Sequence, residues 1–303
     1  MPSEPPNGTR VLAAPDGRRL EVLTAGPEDG LPLLFHNGTP SGLVAFPAMV
    51  AEAAARGLRT VMYARPGYGE STAQPGRCVA DAAADVTTVL DGVGAAQFVT
   101  IGWSGGGPHA LACAALLPGR CLAAVSLAGF APAHAGGLDW MAGMAPENVT
   151  ELTAAAQGEP ALTAFLEAAA AGVGQVTGQQ VAEELGGLIS AADRAVVTGE
   201  FADHMAGSFR IALRAGIAGW RDDDIAFVSD WGFPVEQAGA VPVAIWQGDE
   251  DRMVPFSHGA WLAAHVPGAR AHLVPGEGHL TIAVRSFGAV LDDLLDLAGR
   301  VSH

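Results

Sequence analysis

The sequence predicts an α/β fold: a mostly parallel sheet wrapped by helices on both faces, interrupted by one helical insertion. Two observations carry this. Short apolar runs of buried-strand type alternate with helix-like segments over both ends of the chain, the pattern of strand–helix–strand units. Between about 131 and 240 that alternation stops, and the chain becomes rich in Ala, Glu and Gly without a convincing apolar strand. One domain made of residues 1–130 and 241–303, with 131–240 inserted as a helical lid, also suits a length of 303 residues.

Each element has its own signal. Residues 11–25, VLAAPDGRRLEVLTA, read as two strands joined at an Asp-Gly turn. LPLLFHNG (31–38) is a continuous apolar run, followed by a helix around 44–56 and the strand RTVMYA (59–64). A helix near 79–91, the strand QFVTIGW (97–103), a helix over 105–117 and the strand LAAVSLAGF (122–130) continue the alternation. After the insertion, which holds helix-like stretches such as PALTAFLEAAAAG, the pattern resumes. VPVAIWQG (241–248), a helix over 257–266, ARAHLVPG (269–276) and a last helix over 283–299 complete the chain.

Composition removes several classes of function. The formal charge is −16, with 32 acidic against 16 basic side chains, so phosphate backbones and anionic membranes are repelled. All the basic side chains are arginine, and the absence of lysine excludes lysine Schiff-base and pyridoxal chemistry. No uninterrupted run of roughly 18 apolar residues is present to span a membrane. The start, MPSEPPNGTR, lacks the basic-then-apolar pattern of a signal peptide. Cys78, Cys113 and Cys121 are scattered without CxxC spacing, as expected for reduced thiols in a cytoplasmic protein. Histidine-bearing stretches such as DRMVPFSH and FADH lack paired metal-ligand spacing, so no metal or organic cofactor is expected. A small molecule is the expected partner, and no signal sets the oligomeric state.

One stretch carries chemistry. GWSGGGPHA (102–110) places Ser104 in a G-x-S-x-G pattern between a predicted strand and a predicted helix, the context that gives this pattern mechanical meaning. Glycines permit a sharp turn, and the following helix N-terminus offers free N–H groups to developing negative charge. The plain alternative is a glycine-rich turn that only packs helix on strand. A serine hydroxyl needs a base, and the base an orienting acid. His279, in PGEGHLTIA after the last predicted strand, has the best context of the nine histidines, in what reads as an exposed loop. In WQGDEDRMVP, Asp249 and Asp251 compete for the acid. Asp249 suits a turn, whereas Asp251 lies deeper in the loop.

Ser104, Asp251 and His279 in that order, the HNGTP and YARPGYGES stretches and GDEDRMVP together resemble the α/β-hydrolase fold superfamily over essentially the whole chain. GDEDRMVP is similar to that family's G-x-x-D-x-x-V-P acid loop, which independently selects Asp251. GWSGGGPHALACAALLP and GHL resemble the capped group of esterases, lactonases and proline iminopeptidase-like enzymes. The chain departs from the usual H-G-x-P at Asn37, with His36 displaced by one.

The resemblance implies an oxyanion hole from the backbone N–H groups of Thr39 and Gly105. It also implies a substrate pocket between Ser104 and the cap, walled by Trp103, Phe130 and the segment 208–233. Within that segment Trp220, Phe227 and Trp231 read as anchors of the cap. The run Asp222, Asp223, Asp224 offers charge that could attract a substrate amine, though an acidic run usually reads as a solvated face. The expected activity is hydrolysis of a carboxylic ester or lactone through an acyl-serine. Alternatives are an aminopeptidase of the proline iminopeptidase type, which requires cap carboxylates facing the serine, and a non-enzymatic receptor for a small ligand.

Overall fold

Continuous apolar runs build strands that are buried on both faces of one sheet, and a computed structural model describes it over residues 8–299. The first seven residues of the start read above lie outside the described residues. Eight strands stand in the order β1-β2-β4-β3-β5-β6-β7-β8. They are β1 Thr9–Ala13, β2 Arg19–Ala25, β3 Leu31–His36, β4 Leu58–Tyr63, β5 Phe98–Trp103, β6 Cys121–Leu127, β7 Val243–Gly248 and β8 Arg270–Val274. β1 and β2 pair antiparallel and β2 runs antiparallel to β4, while every pair from β4 through β8 is parallel. The hairpin connection is five residues rather than two: Asp16 accepts from Arg18 N, and Gly17 takes φ +87°.

Successive strand residues point to opposite faces, and this divides the core. Leu34, Phe98 and Ile245 pack with α2 (Ala82–Gly92), α3 (Gly107–Leu116) and α10 (Phe256–His265). Leu33, Phe35, Val99 and Ile101 pack on the other face with α1 (Pro47–Ala54) and α12 (Phe287–Leu297). Helix α12 buries Phe287, Val290, Leu291 and Leu294, an i, i+3, i+4, i+7 stripe. Its other side carries Asp292, which pairs with Arg56 at 2.6 Å. The single C-terminal helix expected from the sequence is broken near Ser286 into α11 (Thr281–Arg285) and α12.

Between β6 and β7 the described chain forms no strand. It carries α4 (Pro146–Gln157), α5 (Glu159–Val173), α6 (Gly178–Glu184), α7 (Ala191–Arg194), α8 (Gly199–Leu213) and α9 (Ala218–Val228). Val181, Phe201, Met205 and neighbours form a small core of their own that also takes in Leu280. No described helix is long and apolar enough to cross a membrane. The three cysteines are unpaired.

Several buried histidines are held neutral. His258 is fully buried; its Nδ1 accepts from Ala131 N at 3.1 Å and its Nε2 lies 2.8 Å from the Trp140 carbonyl. Those partners demand one N–H and one lone pair, which only the neutral ring has. Burial lowers the pKa of His258 to about 4 and that of His109 to about 3. Because the unfolded chain binds these protons near 6.5, stability is full above that pH and falls as pH drops toward the folded values. We predict a loss on the order of 1 kcal/mol per pH unit for each of these two histidines below about pH 6.5. Denaturant melts across that range are expected to show His258→Gln removing part of the slope.

Candidate active site

The turn after β5 is built by exclusion. A Cβ on Gly102 would lie 2.0 Å from the Gly106 carbonyl oxygen, and one on Gly106 would lie 2.1 Å from the His36 carbonyl oxygen. No side chain fits at either position, so the chain folds tightly from β5 through a 3₁₀ turn at Ser104–Gly106 into α3. Ser104 itself takes φ +56°, a left-handed conformation that costs a non-glycine residue energy and persists only where its surroundings enforce it. Pro108 sits in the first turn of α3, where its missing N–H costs nothing.

The β3 loop lies directly over this turn. A Cβ on Gly38 would come 3.2 Å from Ser104 Cβ, and one on Gly105 would come 2.5 Å from Thr39 Oγ1, so Thr39 and Gly105 face each other beside the serine. Arg65 holds the loop: Nη1 donates to the Asn37 carbonyl (2.6 Å) and Nη2 to the Gly38 carbonyl (3.0 Å) and Thr39 Oγ1 (2.9 Å). Asn37 Nδ2, which donates to the Gly42 carbonyl at 3.2 Å, and Gly42 N, which donates to Ser208 Oγ at 3.1 Å, anchor the loop further along. His36 instead turns into the core, 3.5 Å from Cys113 Sγ and stacked on His109.

Arg65 is in turn neutralised from the insertion. Asp223 of α9 accepts from Arg65 Nη2 (2.5 Å), Arg77 Nη2 (2.5 Å), Tyr68 OH (2.9 Å) and Thr39 Oγ1 (2.7 Å). The acidic run is therefore not a solvated face: Asp222, Asp223 and Asp224 are all buried. The sequence shows the charges but not Arg65 and Arg77, which stand more than a hundred residues away and supply the partners that make burial tolerable. Burial pushes the Asp223 carboxyl up, but the two guanidinium groups outweigh it and hold it far below the usual carboxylate range.

On the far side, β7 and β8 deliver the acid and the imidazole. Asp251 Oδ1 accepts from Met253 N (2.9 Å) and Val254 N (2.8 Å), and Oδ2 accepts from Gln247 Nε2 (2.9 Å). His279 Nδ1 lies 2.8 Å from Asp251 Oδ2. Asp249 is elsewhere, accepting from Gly276 N at 2.7 Å in a turn. His279 is not on the exposed loop expected of it but is 1 % exposed, with Trp103 tilted over its ring and donating to its carbonyl at 3.2 Å. Burial lowers the imidazole pKa, but the Asp251 carboxylate and, behind it, Asp193 raise it to a net value above 6.5.

Ser104 and His279 border one cavity of about 160 Å³. Ser104, His279, Thr39, Gly105, Trp103 and Phe130 line it, as do Leu152, Val176 and Met205 from the insertion. Trp220 and Phe227 are part of its wall as well as anchors, whereas Trp231 packs on Phe233 in the core. Glu151 and Asp224 also reach the cavity, and Glu151 accepts from Trp220 Nε1 at 2.6 Å. Burial, then the adjoining carboxyl of Glu151, push Asp224 well above the usual carboxylate range. Among the described residues no group of three or more His, Cys, Asp or Glu side chains is arranged to hold a metal ion.

A fold of this topology with a strained serine on the β5–α3 turn defines a class, and comparison with known proteins names it. The family model for the alpha/beta hydrolase fold matches residues 32–285, and the chain belongs to that family. A non-heme chloroperoxidase of Streptomyces lividans is 32% identical over 125 residues, 40% of this chain, and the chain spans 45% of that relative's length. A hydrolase from Pseudomonas aeruginosa superposes with TM-score 0.68 at 20% identity, covering 97% of this chain and 100% of that one. The enol-lactonase from Burkholderia xenovorans does so with TM-score 0.65 at 19% identity, covering 95% and 100%. An esterase from Rhodococcus gives TM-score 0.65 at 19% identity, covering 96% and 99%. At these identities the likeness is one of fold.

Removing Asp223 leaves two buried guanidinium groups without their counter-charge. Asp223→Ala is predicted to destabilise the protein by about 3–5 kcal/mol, read as a lower midpoint in a denaturant melt.

Proposed function

We propose that the chain is a serine hydrolase that cleaves a carboxylic ester or lactone of a small apolar substrate. The observation that carries this reading is the 2.8 Å pairing of His279 Nδ1 with Asp251 at the edge of the cavity that Ser104 also lines. With Nδ1–H committed to the carboxylate, Nε2 is the basic nitrogen of the neutral ring. In the proposed cycle Ser104 Oγ attacks the carbonyl carbon while its proton passes to His279 Nε2. The carbonyl oxygen takes up the negative charge against the N–H groups of Thr39 and Gly105, each worth about 3 kcal/mol in comparable sites. The imidazolium then returns the proton to the departing alkoxide, leaving an acyl-serine that water, activated by the same base, hydrolyses. Residues 131–240 act as a cap on the core formed by 1–130 and 241–303, and their apolar side chains exclude water and receive the acyl or alkyl group.

A second reading has its own observation. Glu151 and Asp224 project into the cavity, the cap carboxylates that an aminopeptidase would use for a substrate amine. A panel of esters, lactones and prolyl amides separates the readings: the aminopeptidase is favoured if amides with a free amine are turned over faster and Glu151→Gln raises their KM alone.

Ser104→Ala is predicted to abolish both turnover and the fluorophosphonate adduct seen by intact-mass spectrometry, with the fold retained. Asp251→Asn is expected to lower kcat by about 10⁴-fold, whereas Asp249→Asn changes it by no more than a few-fold. Equal losses from the two aspartates would overturn the acid assignment. Since the base works unprotonated and its pKa is raised, kcat/KM is predicted to climb with pH through a midpoint above 6.5.

A further inference from the structure

Asp193 is fully buried and belongs to the four-residue helix α7 of the insertion, far in sequence from every residue discussed as catalytic. Its carboxylate accepts from His279 N (3.0 Å) through Oδ2 and from Leu280 N (2.8 Å) and Thr281 N (2.9 Å) through Oδ1. Three consecutive amides of the His279 segment, the unsatisfied donors ahead of α11, thus converge on one side chain. The aspartate is itself fixed by Ser190: Ser190 N donates to Oδ2 at 3.4 Å, and Asp193 N donates to Ser190 Oγ at 3.1 Å. Gly278 completes the fit. A Cβ there would lie 2.4 Å from Asp193 Oδ2 and 2.5 Å from Cγ and Oδ1, so a side chain before His279 would displace the carboxylate.

We propose that Asp193 is a positioning residue for His279: a carboxylate supplied by the insertion that grips the base through its backbone. The proposal rests on His279 acting as the base of the reaction proposed above. Asp251 fixes the rotation of the imidazole through Nδ1, and Asp193 fixes the main chain from which the ring projects. The consequence is a coupling between parts. The His279 segment keeps its three acceptor contacts only while α7 is seated, so a displaced insertion leaves the base without its backbone anchor. Asp193 and Asp251 are the carboxylates acting on the imidazole, and loss of the Asp193 charge lowers its proton affinity.

The test compares the parent, Asp193→Asn and Gly278→Ala by three measurements. These are the rate of Ser104 phosphonylation by a fluorophosphonate, the titration of the His279 imidazole by NMR, and hydrogen exchange of the amides of residues 279–281. Asp193→Asn, nearly isosteric but bearing an N–H donor group where carboxylate oxygen now accepts, is expected to slow phosphonylation by about 10²-fold. It is also expected to shift the imidazole titration to lower pH and to speed exchange at 279–281, with KM for a small ester unchanged. Gly278→Ala keeps the aspartate but forces it away, and it is expected to reproduce the slowing and the faster exchange. If Asp193 serves packing alone, its variant melts at lower temperature while the folded protein keeps the parent's imidazole titration and amide protection; that result overturns the proposal. Failure of the underlying reading is seen separately, as a parent that forms no Ser104-dependent adduct, because titration and exchange still report whether Asp193 holds His279.

Discussion

The assembly of this molecule turns on one buried carboxylate. Asp223 arrives on α9, is fully buried, and takes hydrogen bonds from Arg65, Arg77, Tyr68 and Thr39. Such a group is tolerable away from water only because two cations and two hydroxyls satisfy it together. Its effect reaches in both directions. It ties α9, between β6 and β7, to Arg65 and Arg77, and through Arg65 it holds the carbonyls of Asn37 and Gly38 in the loop that lies over Ser104.

The serine turn is the second constraint, and it is steric rather than electrostatic. Glycines at 102 and 106 lie against carbonyl oxygens with no space for a Cβ, and the strained backbone of Ser104 (φ +56°) is held between them. Strain of this kind costs of order 1–3 kcal/mol and survives because the packing around it is over-determined. Here the surrounding packing comes from β3, whose His36 carbonyl closes on Gly106, and from α3, which is buried from Gly107 to Ala115.

Burial also sets the character of the cavity. The imidazole of His279 is enclosed, so its interaction with Asp251 is little weakened by solvent. Against this background Glu151 and Asp224 stand out. Two adjoining carboxyls in an apolar enclosure cannot both carry charge without cost, and burial pushes both up from their ordinary values, Asp224 well above the usual carboxylate range.

Much of the architecture was legible in the sequence because it rests on local periodicity. Apolar runs of strand length, the Gly-Ser-Gly turn between strand and helix, and the loss of alternation after residue 130 are properties of neighbouring residues. Two acids, Asp249 in a turn and Asp251 further into the loop, were candidates in the sequence, and the structure puts Asp249 on Gly276 N and Asp251 on His279. What the sequence could not disclose were contacts between residues distant along the chain. The Asp222–Asp224 run reads as solvent-facing until Arg65 and Arg77 are brought to it. His279 reads as exposed until Trp103 and the insertion enclose it. Asp193, in an unremarkable stretch before α8, becomes an acceptor for the backbone at 279–281 only once the insertion is docked. A side chain's charge is fixed by its own chemistry, but whether that charge can be buried depends on partners that only the tertiary fold selects.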